Sequence, residues 1–260
     1  MIAKSTTMRI GWRVYGLGVI GLSVICLWGK YLLGQPLPEG LPARTAVAYA
    51  AGVFLLVVGA AMEWRRTTSW AAAALTVFSF LVVLAMDIRP LFTGYKVYGV
   101  YSQVAYQLVL TAGGLIVYAN SAQIDAAVAA RMTRVGQVTF GICALLYGGA
   151  HFVYMNLTAP LIPKWLPPGQ VFWGSVTGVC FIAAGLAILT GIKSRLAAIL
   201  LTVMIASFGV LANGLALVAD HSGSWNWTES ALNLALIGGA WVMADSLGGL
   251  GVGCVTSLRP

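Results

Sequence analysis

The side chains able to do acid–base or ligand chemistry are few in this 260-residue sequence, and they gather in its second half. His151, Asn213, Glu229 and Asn233 stand out because each interrupts or borders a long apolar run. An imidazole can carry a proton near neutral pH. Amides and carboxylates supply hydrogen bonds that hydrocarbon surroundings cannot. Glu229 and Asn233 are four residues apart, so a helix would put them on one face. At about 1.5 Å per residue, His151, Asn213 and Asn233 all fall roughly 8–10 Å inside the outer ends of their apolar runs. A metal would need His151 and two further ligands, and only His221 with Asp220 or Glu229 is on offer. Neither spacing nor ligand type selects a metal there, so none is expected. Haem ligation by His151 with His221 would pair residues at different depths. Cys26, Cys143, Cys180 and Cys254 form no CxxC pair, and three of them sit inside apolar runs, which reads as buried thiols. There is no GxSxG, P-loop, HExxH or CxxCH.

The elements that must position these residues follow from composition. Hydrophobic residues make up 60% of the chain, charged residues 8%, and the mean hydropathy is +0.89. Soluble domains average about 25% charged residues, so both a soluble globule and a disordered chain are excluded and a bilayer is the fitting solvent. The formal charge of +8 is spread over short loops with no dense basic run, which excludes nucleic acid as partner. About 20 apolar residues cross a bilayer as a helix, and eight such stretches are found: Val14–Leu33, Thr45–Met62, Ser69–Met86, Val100–Ala119, Val135–Asn156, Gln170–Thr190, Leu196–Ala219 and Thr228–Ala244. The first is too long for a signal-peptide core and is read as an uncleaved span. With the N-terminus inside, the inner segments hold Lys4, Arg9, Arg13, Arg65, Arg66, Arg131, Arg134, Lys193, Arg195 and Arg259. The outer segments hold Lys30, Arg44, Arg89, Lys96 and Lys164. That bias places both termini in the cytoplasm. Tyr95, Tyr98, Tyr101, Trp165, Trp173, Trp225 and Trp227 line the outer boundary as an interfacial belt would.

The sequence also repeats at an offset of about 126. Pro38–Pro42 before the second span echoes Pro163–Pro167 before the sixth. Gly52 and Gly59 match Gly178 and Gly185, and Trp70-Ala71-Ala72 matches Leu196-Ala197-Ala198. The expected fold class is an all-α integral membrane protein, with eight transmembrane helices as two parallel four-helix bundle repeats. A first module covers residues 1–120, a cytoplasmic linker 121–137, and a second module 138–260. Asp87, Gln103 and Gln107 occupy the places of Asn213, Glu229 and Asn233, whereas Cys26 falls near the place of His151, so the second half is the better candidate for a site. Each of these residues also has a plain structural reading. Intramembrane His and Asn side chains commonly join helices by hydrogen bonds, and an acidic group at a helix N-terminus is favoured by the dipole.

The stretch Leu146–Phe152, the loop Pro163-Lys164-Trp165-Leu166-Pro167-Pro168, then Thr177-Gly178, Gly185-Leu186 and Ser194–Ala198 resemble the DoxX-like family of small bacterial four-span membrane proteins. The resemblance covers about residues 135–247, and the first half joins it through the repeat. It implies a bacterial inner-membrane protein linked, in some relatives, to thiosulfate:quinone oxidoreduction or redox homeostasis. Some relatives carry an acidic residue four positions before the glycine matching Gly185. Here that position is Phe181, and Leu55 in the first half. An apolar slot near the interface with one or two hydrogen-bond donors suits a quinone, and His151 with Trp165 could supply it. Three readings stay open: a redox-linked subunit binding quinone, a small-molecule transporter or export accessory using the cleft between halves, and a structural partner of another membrane or redox protein.

Overall fold

In hydrocarbon every backbone N–H and C=O must find its partner within the protein, and helices do this within one segment. The computed structural model describes residues 10–28, 31–222 and 224–248, and they are helical apart from short connections and one small hairpin. The helices are α1 (Gly11–Cys26), α2 (Arg44–Met62), α3 (Thr68–Thr93), α4 (Tyr98–Ser121), α5 (Ala126–Val153), α6 (Gln170–Thr190), α7 (Ser194–Ala219) and α8 (Ser224–Gly248). Seven of them, α2 to α8, are long and apolar enough to cross a membrane. Large apolar side chains also face outward on them, among them Val57, Val77, Val179 and Val210. A multi-pass membrane protein in a lipid bilayer accounts for both facts. Lys4, Arg9, Lys30, Cys254 and Arg259 lie outside the described residues.

Two expectations need correction. The first apolar run does not form one helix from Val14 to Leu33. Helix α1 has 16 residues, about 24 Å at 1.5 Å per residue, against a hydrocarbon core of about 30 Å. The chain then makes a hairpin, β1 (Tyr31–Leu32) with β2 (Gln35–Pro36). Leu33 (φ 48°) and Gly34 (φ 82°) form its two-residue turn. Positive φ at both turn residues is the geometry that matches strand twist. The second correction concerns the linker. Residues 126–137 are not a connection but the first turns of α5. Asp125 caps them, its carboxylate accepting from the Ala127 and Val128 amides, and the Ala-rich run that follows is helix-favouring sequence. Only residues 122–125 join α4 to α5.

Each helix packs on its chain neighbours, and α1 closes on α8, so the eight form a ring. The ring is pinched where α4 meets α8. Small residues set these approaches. The Gly18 Cα faces the Ala235 backbone and Gly238 faces the Tyr15 backbone, joining α1 to α8. A Cβ on Gly59 would meet the Gly16 carbonyl at 3.1 Å, and one on Gly185 the Gly141 carbonyl at 2.8 Å. Helices α3 and α7 each carry a π-helical segment, Val83–Asp87 and Gly209–Gly214. Their starts are 126 residues apart (209 − 83). Such π segments free backbone groups and frequently mark functional positions.

Candidate functional site

Tyr147 and His151 are one turn apart on α5, so both face the same way. His151 Nδ1 lies 2.8 Å from the Tyr147 carbonyl oxygen. That oxygen can only accept, so Nδ1 carries the proton and, in the neutral ring, Nε2 is left as an acceptor. Phe181 of α6 packs on both residues, with ring centroids 5.3 Å from His151 and 5.8 Å from Tyr147. Phe208 of α7 closes on the imidazole edge at 6.5 Å. Gly209, next in sequence, opens the π segment and receives Asn233 of α8: a Cβ there would sit 2.6 Å from Asn233 Oδ1. One turn before Asn233 comes Glu229, whose backbone carbonyl accepts from Asn213 Nδ2 at 3.4 Å. Glu229 is within electrostatic reach of the Tyr106 phenol, and the Tyr106 ring lies 5.0 Å from Tyr147. The contacts run through α4, α5, α6, α7 and α8 in a circle that α4 and α8 close by packing on each other. Two polar atoms in this circle, Tyr147 Oη and Asn233 Oδ1, are buried with no hydrogen-bond partner. Burying such an atom unsatisfied costs about 1–3 kcal/mol.

No family model matches the chain, and no curated protein or solved structure matches it either.

Four of the five expected residues, His151, Asn213, Glu229 and Asn233, belong to this circle. The hydrogen bond of His151, however, goes to Tyr147 rather than to either asparagine. Trp165 does not belong. It is 67% exposed on the loop after α5, where the run Pro163–Pro168 turns the chain outward. Sequence reasoning missed Tyr147, Tyr106, Phe181 and Phe208. Tyr147 could have been found, since four residues before His151 is the same helix face. Tyr106 could not, because it arrives from the other half of the chain. Among the described residues no group of three His, Cys, Asp or Glu side chains comes together as a metal site.

The first half places a different arrangement at the corresponding positions. Asp87 ends the π segment of α3 and is 3% exposed. Gln35 of the hairpin donates to it, with Nε2 3.2 Å from Oδ1 and 3.4 Å from Oδ2. Gln107 of α4, fully buried, donates from Nε2 to the Leu33 carbonyl at 3.2 Å. Its own Oε1 has no partner. Leu32, Leu33 and Leu37 are buried around these bonds. The hairpin thus fills with protein the place that the second half surrounds with Tyr147, His151 and Asn233.

Proposed function

We propose that this chain is a DoxX-like protein of the bacterial inner membrane, with eight spans in two parallel repeats and both termini cytoplasmic. We propose further that its second half binds a lipid-soluble carbonyl compound of the quinone type. The repeat is supported by the paired π segments and by the equivalent glycine approaches in α1–α2 and α5–α6. Helix packing supports it too, because α1 with α8 mirrors α5 with α4. The reading as a transporter through a cleft between halves is less well supported. That seam is packed shut: Tyr15 of α1 backs onto Gly238 of α8, and Val109 of α4 faces Gly239, with Tyr15 and Val109 fully buried.

One observation carries the ligand reading. Tyr147 Oη is buried without a partner among Tyr106 and Phe181, one turn from the acceptor Nε2 of His151, and Asn233 Oδ1 is likewise unpartnered against Gly209, the residue after Phe208. Tyr147 would donate to a ligand carbonyl. Asn233 Oδ1 can only accept, so it would take a hydroxyl proton of the reduced, quinol form. His151 would take a proton at Nε2 while Nδ1 stays fixed to its own helix. Phe181 and Phe208 keep water from the ring, which strengthens each of these bonds. A quinone, when bound, supplies two-electron, two-proton redox chemistry. The test is to purify the full chain in mild detergent, record its ultraviolet spectrum and identify extracted small molecules by mass spectrometry. Retention of a carbonyl-bearing, lipid-soluble compound, lost in His151→Ala, supports the reading. An extract holding only bulk lipid contradicts it.

A further inference from the structure

A groove of about 800 Å³ runs between α6 and α7 on the outward face of the helix ring. Its floor on α6 is made of the small side chains Cys180, Ala183 and Ala187, facing Met204 and Ser207 on α7. The residues 126 positions earlier are Phe54, Val57, Ala61, Phe78 and Leu81. Phe54 and Phe78 meet across α2 and α3 with ring centroids 4.7 Å apart, so bulk fills that seam where the second half leaves room. From Trp173 to Ala187 the groove follows 14 residues of α6 (187 − 173). At 1.5 Å per residue this is about 21 Å, longer than the roughly 15 Å of one leaflet, half a core of about 30 Å.

The groove is apolar along its length, and its one charged lining residue is Lys193 at the end where α6 turns into α7. Gly191 (φ 80°) and Lys193 (φ 47°) make that turn. Arg195 follows two residues later, and Arg134 of α5 donates to the Leu189 carbonyl at 3.0 Å at the same end. Basic groups gathered between helices at a membrane face are suited to lipid phosphates.

We propose that the α6–α7 groove is a binding site for an anionic phospholipid, one acyl chain lying along Cys180 and Ala183 and the phosphate held by Lys193. The groove shares Phe208 with the surroundings of His151, but Tyr147, His151 and Phe181 do not line it, and the proposal stands whether or not those residues bind a quinone.

Native mass spectrometry of the detergent-purified full chain tests it, titrating phosphatidylglycerol and phosphatidylcholine with identical chains. One phosphatidylglycerol should be retained at about fivefold or more lower concentration than phosphatidylcholine, and Lys193→Gln should bring the two together. Cys180→Phe, which installs the first half's own residue, should abolish the bound lipid. A second measurement needs no groove substitution. In a Cys254→Ser background Cys180 is the exposed thiol, Cys26 and Cys143 being buried, and phosphatidylglycerol should slow its alkylation by an apolar maleimide more than phosphatidylcholine does. Equal retention of the two lipids, binding that survives Cys180→Phe, or equal alkylation rates would each overturn the proposal. Retention of a neutral carbonyl compound alone would assign the groove to the tail of that ligand.

Discussion

The first and second halves treat their buried polar side chains differently. Around Asp87 and Gln107 the chain folds its own hairpin inward, and Gln35 and Leu33 bond the Asp87 carboxylate and the Gln107 N–H, leaving only Gln107 Oε1 of these groups unpartnered. Around Asn213 and Asn233 the loop following α5 winds instead into a helical turn, Met155–Thr158, and a 3-10 turn, Ala159–Leu161. Among the described residues none of that loop bonds either asparagine. The same contrast appears on the outside, where Phe54 and Phe78 fill a seam that Cys180 and Met204 leave open. On the proposed repeat, the first copy is the closed structural member and the second the ligand-binding one. Whether a buried polar residue is structural or functional is decided by what the chain brings to it, not by its type.

The largest effect is expected from breaking the closed copy. Gln35→Ala leaves the Asp87 carboxylate buried without its amide donor, and a hydrogen bond to a charged group is worth about 1.5–3 kcal/mol. Thermal unfolding in detergent should show a loss of that order. A change within error would mean that the hairpin is not what holds Asp87. Next comes the outer seam. Phe54→Ala removes a half-buried ring from its contact with Phe78 and should cost about 1–3 kcal/mol, less than the 3–5 kcal/mol of a fully buried Phe. Val179→Ala, on an outward-facing position of α6, should leave the midpoint nearly unchanged. Comparable losses at both positions would erase the distinction between the filled and open seams.

A smaller effect is expected where the halves differ in charge. Glu63, just past α2, crowds Gly16 as Leu189 crowds Gly141. Desolvation raises the Glu63 pKa above the usual carboxylate range, and Arg13 partly offsets this. A raised folded-state pKa means that the folded protein holds the proton more tightly than the unfolded chain. Stability should therefore rise as pH falls from neutral through that raised value. Glu63→Leu, the second half's own solution, should remove this acid-side gain and raise the neutral-pH midpoint slightly. An unchanged pH profile in the variant would show that Glu63 is not its source.

Much of this architecture is legible in the sequence because lipid enforces it. Gln170–Thr190 has the same bounds by hydropathy and in the structure, since Gly169 and Gly191 bracket it. The hairpin is not legible, because Tyr31-Leu32-Leu33 reads as continued apolar helix and only the positive φ at Leu33 and Gly34 betrays the turn. The Ala-rich start of α5 reads equally well as linker or helix until the Asp125 cap is seen. Within the candidate site, His151 and Asn233 are conspicuous because polar groups are rare in such sequence. Tyr147 is hidden by being one aromatic among many, and Tyr106 by reaching the site from α4. Trp165 misleads for the opposite reason. Its proline-flanked setting is distinctive, yet that setting holds the indole on the surface.

The central claim is that the second half is the open copy, and the ligand content of paired variants tests it most directly. Tyr147→Phe removes a hydroxyl that has no protein partner, so it should leave stability unchanged or slightly improved. It should also reduce the co-purified carbonyl compound by roughly threefold to tenfold, the worth of one hydrogen bond of about 0.5–1.5 kcal/mol. Gln107→Leu, in the closed copy, should destabilise the protein and leave the amount of bound compound per folded chain unchanged. Ligand content that falls with Gln107→Leu and not with Tyr147→Phe would contradict the account.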